Sequence, residues 1–492
     1  MQGTIQSLKM KWLDPLFMLV AVLAGGLLGL VVSQVPSPVL ALGAVAALGV
    51  ASATIASGDI GLIALVVVTY TLFSDVMIVY HNLPSTTQPF IALLAVSIMA
   101  RWVWSGEQPR GWQRPLALIV LYGLAGFAAL FVAKNAEYAQ TEMLNYFKDS
   151  IIVVLVAILL QRGVTLRRTM WALIGSGIFL GTLSVYQQLT HTFTDNYGGF
   201  AQAAVQNIIS GGTDDYRIAG PIGDPNFYAQ ILVVLVPLAL DRFWNEKNIY
   251  LRLLAAWGLI VISLSIIFSY SRGGATGLFV VLGIMLVRRP PKPAVLLSLL
   301  AAIILVFQFL PPNYLERLQT IPEALPGLGG DVRNEVSFRG RASEAMVAWQ
   351  MFLDHPILGV GPRNYQVYYQ DYSRNLGLDP RREERSAHDL FLEIAAQTGV
   401  VGLLIFCFMV AVMFRGMERA RQIFLAIDLP DYAAIAVAYS TGVFGYFVGA
   451  IFLHAAYPRY LWLLIGIGLA LLHVAQTERQ ALLERADPEQ VG

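Results

Sequence analysis

Long apolar runs follow one another along most of this chain, separated by short polar connections. A helix crossing a bilayer takes ~20 mostly apolar residues, with a working range of ~17–25. About fourteen segments meet that pattern, near 15–33, 38–57, 60–80, 89–104, 115–133, 149–160, 170–189, 227–243, 252–270, 274–288, 294–310, 390–414, 432–453 and 458–474. The sixth and tenth are short and read as tilted, re-entrant or extended by their flanks. The pattern predicts an all-α polytopic membrane protein. It divides into N-terminal transmembrane helices over 1–190, central helices over 191–310 with a first outer loop at 191–226, a large, mostly helical outer loop over 311–388, and C-terminal helices over 389–492 that end in a short charged tail. There is no internal repeat or low-complexity tract.

Charge sharpens this picture. Only 13% of the 492 residues are charged and 57% are hydrophobic, whereas soluble domains carry ~25% charged residues. Basic residues gather at alternate connections: Lys9 and Lys11 before the first span, then Arg110 and Arg114, Arg162, Arg167 and Arg168, Arg242, Lys247 and Arg252, Arg288, Arg289 and Lys292, and Arg415, Arg419 and Arg421. Connections of the other parity, such as His81 to Gln88, are poor in Lys and Arg. The alternation predicts that both termini are cytoplasmic and that the two long loops face outward. The net charge of +1 gives no reason to expect nucleic acid. The single cysteine, Cys407, excludes an intrachain disulfide framework.

The outer loops carry the polar chemistry. Asp224 reads as the N-cap of the eighth span, with Pro225 at its first helical position. Capping gives the nearby Arg217 no role. Ser269-Tyr270-Ser271-Arg272-Gly273-Gly274 joins two spans with almost no loop, which holds Arg272 near the outer membrane boundary. Deep in a bilayer such a charge costs ~2.5–3.5 kcal/mol, and less toward the interface. Snorkelling to headgroups is the bland explanation. A bound phosphate is the sharper one, because the guanidinium fork suits bidentate contacts and glycine permits close backbone approach.

In the second loop, Met346, Trp349 and Leu353 recur at helical spacing after Arg341, as on an amphipathic helix lying on the protein or the membrane interface. Pro356 and Gly359-Val360-Gly361-Pro362 end it. Tyr365, Tyr368, Tyr369 and Tyr372 follow, either as part of a packed cap or as faces that stack on pyranose rings. The loop closes at Ser386-Ala387-His388-Asp389. Ser386 with Asp389 fits a capping box, which predicts His388 in the first helical turn. The helix dipole there disfavours imidazolium, so a neutral ring can accept a proton. The same helix start attracts anions. A lone histidine at such a junction is usually structural, and two arginines on the same side change that weighing. His81, His191, His355 and His454 are weaker outer-face candidates. No histidine shows metal-ligand spacing with Asp, Glu or Cys, and Walker-A, dinucleotide and D-x-D patterns are absent, so no metal or cofactor is expected.

At these residues the chain resembles the O-antigen ligase and O-antigen polymerase superfamily of bacterial membrane glycosyltransferases. The matching pieces are Ser271-Arg272-Gly273-Gly274, the segment from Arg341 through Gly359-Val360-Gly361-Pro362, and His388-Asp389-Leu390-Phe391-Leu392-Glu393 running into Gly399 and Gly402. The resemblance covers mainly residues 210–410. Many relatives have asparagine after the histidine, where this chain has Asp389. The resemblance implies a C-type glycosyltransferase architecture in the bacterial inner (plasma) membrane, with its active site on the periplasmic or extracellular side. Such an enzyme, acting without metal, transfers a glycan from undecaprenyl pyrophosphate to lipid A core, a glycan or a protein, as in lipopolysaccharide biosynthesis. By that resemblance His388 is the base and Arg272 binds the pyrophosphate with Arg217. Tyr270, Asp389, Arg341 and Asn226 are supporting residues.

Ligase, polymerase and protein O-oligosaccharyltransferase activities remain rivals within that family, and the resemblance leans to the ligase. A flippase of lipid-linked oligosaccharides is the alternative of another class. It calls for ionisable residues near mid-bilayer, whereas Asp59 and Asp75 lie near span ends. A non-catalytic envelope scaffold is the third reading.

Overall fold

The computed structural model describes residues 38–106, 108–206, 215–290, 336–378, 385–454 and 458–486. The first helices are α1 (Pro38–Ala56), α2 (Gly58–Tyr70), α3 (Phe73–His81), α4 (Thr87–Ser105), α5 (Gln113–Ala129), α6 (Ala136–Leu159) and α7 (Gly163–Thr190). An antiparallel hairpin follows, β1 (Gln202–Gln206) with β2 (Asp215–Gly220). Next come α8 (Pro225–Val233), α9 (Leu235–Asn245), α10 (Ile249–Phe268) and α11 (Arg272–Arg288). Last are α12 (Val336–Asp354), α13 (Tyr365–Asn375), α14 (Leu390–Ala426), α15 (Pro430–Ala450) and α16 (Pro458–Ala486). Helix dominates as expected, and the hairpin is the departure from an all-α reading.

Among the described residues, eight helices are long and apolar enough to cross a membrane, or nine if the bent pair α2–α3 is one span. These lie at expected positions, and the chain is a membrane protein. The expected spans at 15–33 and 294–310 fall outside the described residues. Three others miss the same measure. Helix α1 qualifies only as a shorter apolar helix over Ala47–Ala56, α6 carries Glu137, Glu142, Lys148 and Asp149, and α11 has 17 residues. The charged tail expected after Gln476 is the helical continuation of α16 to Ala486.

Several spans are broken, each for a local reason. Helices α2 and α3 meet at 52°, where Leu72 turns left-handed at φ 51°. Pro237 has no N–H to return to the Val233 carbonyl, and the α8–α9 boundary falls at Val234. Within α14, Gly399 adopts φ 65° and ψ −166°, a conformation open in practice to glycine alone.

The chain forms two compact units, residues 1–65 with 88–108, and residues 66–87 with 109–492. In the first, Ser97 Oγ donates to the Thr54 carbonyl at 3.2 Å, tying α4 to α1. In the second, α14 packs on α15 and α16, α16 on α6, and α10 on α7. Asp75, weighed above for transport, accepts from Arg459 at 3.1 Å beside Asp149 at 3.2 Å.

The break at Gly399 fastens the cap to the helical bundle. The turn after α12 lies along it: Val360 N–H donates to Ala396 O at 2.8 Å, Gly361 N–H to Gln397 O at 3.0 Å, and Val400 N–H to Pro356 O at 2.8 Å. A Cβ at Gly359 would come within 2.5 Å of the Ala396 carbonyl oxygen. The backbones therefore meet at a distance that only glycine permits. Beyond this seam α12 buries Ser343, Glu344, Val347, Ala348 and Met351. Val347, Ala348 and Met351 share a core with Val360, Tyr365, Tyr369 and Ala396. The expected apolar stripe is the opposite face: Met346, Trp349 and Leu353 are each about half exposed, at 53%, 50% and 50%. Small residues at 347 and 348 let α12 approach its neighbours closely, so its packed face is not the face with the largest side chains. Tyr365 and Tyr369 belong to the cap's core and offer no stacking face, while Tyr368 and Tyr372 sit at its edge.

Candidate functional site

His388 stands on the last stretch of irregular chain before α14. Asp389 caps that helix. It is extended, at φ −150° and ψ 116°, and its Oδ1 accepts from Phe391 N–H at 2.9 Å and Leu392 N–H at 3.0 Å. This corrects the capping-box expectation. Ser386 and Asp389 are both capping residue types, and Asp389 holds the position adjoining the helix, so His388 precedes the helix instead of lying in its first turn. His388 is left-handed at φ 48°. That backbone turn directs Nδ1 back to the Ser386 carbonyl at 3.0 Å. The same nitrogen lies 2.9 Å from Glu344 Oε2 of α12. Burial pushes the Asp389 carboxyl above the usual range, against the pull of its two backbone N–H donors.

Arg217 lies on β2, opposite Ala204 of β1. Its Nε donates to the Ser269 carbonyl at 2.8 Å and its Nη2 to Asn226 Oδ1 at 3.1 Å. Asn226 opens α8, where Asp224 is the cap and Pro225 the first helical residue, as expected. Ser269 closes α10, and the chain passes through buried, left-handed Tyr270 (φ 49°) directly into α11. Arg272 is the first residue of α11, with Ser271 as its cap. Arg217 thus clamps the segment that carries Arg272. A Cβ at Gly274 would sit 2.5 Å from Ala229, so this glycine brings α11 against α8; one added at Gly273 would meet Phe452 at an ordinary 3.8 Å.

The two halves meet at the connection between α15 and α16. The His454 ring is 5.1 Å from the His388 ring at 65°, and 5.1 Å from the Phe227 ring at 89°. Phe227 adjoins Asn226, the partner of Arg217. Phe452, in the same connection, meets the first turn of α11. A continuous set of contacts therefore runs from His388 through His454 and Phe227 to Asn226, Arg217 and Ser269. Burial, and next the neighbouring His388, push the His454 pKa down to about 3, so this ring stays neutral. Its Nδ1 is buried with no hydrogen-bond partner among the described residues. Arg341 lies on α12 one turn before Glu344, partly buried.

Sequence reasoning missed Glu344 and undervalued His454. A signal existed for Glu344: it falls at helical spacing with Val347, Ala348 and Met351, an acid within an apolar stripe. Nothing local marks His454. What the arrangement can do is hold a histidine with one nitrogen turned to a carbonyl and a carboxylate, linked through His454 and Phe227 to the segment where Arg217 is fastened to Ser269, three residues before Arg272.

No curated protein matches the chain. Residues 248–407 match the family model described as O-Antigen ligase. That span contains Arg272, Arg341, Glu344, His388 and Asp389, while Arg217, Asn226 and His454 flank it. The match bears out the resemblance read from the sequence and is consistent with the O-antigen ligase and polymerase superfamily.

Proposed function

We propose that this chain is a glycosyltransferase of the O-antigen ligase type. It moves a glycan from undecaprenyl pyrophosphate to an acceptor hydroxyl on lipid A core, outside the inner membrane and without a metal ion. The observation that carries this reading is the contact path from His388 through His454 and Phe227 to the Asn226–Arg217 pair, on a chain whose 248–407 segment matches the family.

In the proposed reaction the acceptor oxygen bonds to the anomeric carbon as the bond from that carbon to the diphosphate oxygen breaks. The electron pair leaves with the diphosphate, and the acceptor proton passes to His388 Nε2. With Nδ1 turned toward Ser386 O and Glu344, Nε2 is the nitrogen with a lone pair for that proton. Negative charge grows on the departing diphosphate. Arg272 and Arg217 stabilise it, each fixed donor contributing ~2.7–4 kcal/mol by analogy with oxyanion-hole deletions. Oriented binding of two membrane-borne carriers supplies more. Asn226 and Tyr270 hold the arginine segment in place. Asp389 fixes the start of α14, and Arg341 adds positive charge from α12.

The test is His388→Ala in purified membranes or proteoliposomes supplied with an undecaprenyl-pyrophosphate-linked glycan and lipid A core. Transfer should fall by about 10²–10⁴-fold, the usual contribution of a positioned base, while donor binding persists. Turnover near the wild-type rate would remove His388 from the chemistry. Product joined to lipid A core marks a ligase; glycan lengthened on its lipid carrier would assign the polymerase activity instead.

A further inference from the structure

Glu344 is a carboxylate in an unusual place. Its side chain is 2% exposed, on the buried face of α12, with Val347, Ala348 and Met351 following along the same face. A buried carboxylate is costly unless paired. Among the described residues, Arg385 Nη1 lies 3.5 Å from Glu344 Oε1 and His388 Nδ1 lies 2.9 Å from its Oε2. Tyr365 locks the backbone beneath it by donating to the Glu344 carbonyl at 2.8 Å. The seam at Gly359 and Gly399 holds α12 against α14. Carboxylate and imidazole are therefore set by separate, rigid elements.

We infer that Glu344 is a positioning residue for the transfer reaction, holding the His388 ring by its Nδ1 side and stabilising the imidazolium that forms when Nε2 takes the acceptor proton. The inference rests on the reading of His388 as the base. The Ser386 carbonyl accepts from Nδ1, which favours the proton on that nitrogen, and Glu344 Oε2 lies 2.9 Å from the same nitrogen at ion-pair distance without hydrogen-bond alignment. A second N–H appears on Nε2 during transfer, and the ring then carries a positive charge. Glu344 is the carboxylate 2.9 Å away to meet it, and it needs no reorganisation. The proton returns to solvent after the diphosphate departs, so Glu344 ends the cycle as it began. The roles match the orienting acid of other acid–histidine pairs, which stabilises the imidazolium without itself becoming protonated.

The other groups facing this ring fit the assignment. His454, from the α15–α16 connection, presents a neutral ring. Asp389, at the head of α14, is engaged by two backbone N–H groups. Arg385 lies behind Glu344 at its other oxygen. Glu344 is accordingly the carboxylate placed against Nδ1 itself.

Glu344→Gln keeps the side chain's size and removes its charge. In detergent-purified full-length protein it should lower kcat for transfer about 10–100-fold, by analogy with losing the partner that orients a metal-ligating histidine. KM for the lipid-linked donor should stay within about twofold. Glu344→Asp, which restores the charge at greater distance, should recover part of kcat. A purely structural glutamate would change the amount of folded enzyme and leave kcat per folded molecule unmoved. A folded Glu344→Gln with wild-type kcat overturns the inference. If that variant does not fold, the nitrogen NMR shifts of wild-type protein decide: the neutral His388 ring should carry its proton on Nδ1, and a ring protonated on Nε2 overturns it. His388→Ala separates the two failures. Full turnover there removes the base itself; loss of turnover there beside a normal Glu344→Gln removes only the Glu344 assignment.

Discussion

The two ends of the helical pair α8–α9 treat charge in opposite ways. At the Arg242 end, guanidinium groups meet carboxylates directly. Arg242 is 1% exposed and lies 2.6 Å from Asp241 and 2.9 Å from Asp431 of α15. Arg167 of α7 lies 2.6 Å from Glu246 and 3.5 Å from Asp431. The charges sit on or beside regular helix, and Asp431 in the first turn of α15 also suits the helix dipole. At the Asn226 end, Arg217 donates to a carbonyl and an amide oxygen. His388 and Tyr270 there hold left-handed backbone at φ 48° and 49°, each at a cost on the order of 1–3 kcal/mol. One end is a clamp in which opposite charges close on each other. Left-handed backbone also occurs beside the clamp, at Asp428 (φ 56°), but at the other end it carries His388 and the approach to Arg272, which is where reaction chemistry is expected.

The largest test of that contrast breaks the clamp. Arg242→Met should destabilise the protein by about 3–5 kcal/mol, because it leaves Asp241 buried without its strongest partner. Thermal unfolding in detergent would read this, and transfer per folded molecule should be unchanged. A variant that melts normally but transfers poorly would merge the two ends into one function. The next test acts on the strained end. Arg272→Lys replaces a planar fork by a point charge, and kcat/KM should fall about 100–1,000-fold with little change in melting temperature. Normal kinetics would take Arg272 out of the site.

What could be read from the sequence was local. The apolar runs placed the eight long spans, and Asp224-Pro225 announced the start of α8 because a cap and its helix are adjacent residues. Arg217 and Arg272 stood out as charges without a local role, and the structure fastens the first to Ser269, three residues before the second. The unread features are non-local. Glu344 comes near His388 where a break at Gly399 lets the turn after α12 bond to the backbone of α14. His454 reaches both His388 and Phe227 only through the packing of α14, α15 and α8. The stripe of α12 was legible as a pattern but left open whether it lies on the protein or at the membrane interface; it faces outward, and which of two helix faces packs depends on neighbours that sequence spacing does not name.

The smallest effect, and the finest probe of the strained end, is the pH dependence that His454 brings. Its ring is held near pKa 3 in the folded protein, against 6.5 for an ordinary histidine. Above pH 6.5 both states are neutral and the group contributes nothing to the pH slope. Between pH 6.5 and 3 the unfolded chain binds a proton that the folded protein refuses, so stability falls as the medium is acidified through that window. His454→Phe keeps a ring between His388 and Phe227 and removes the titration. Its melting temperature should therefore decline less steeply than wild type from pH 6.5 downward, while the two proteins run parallel above it. Equal slopes throughout the window would mean that this ring takes up its proton in the folded protein. His388 would then face a cation instead of a neutral neighbour, and the electrostatic difference between the two ends of the bundle would shrink accordingly.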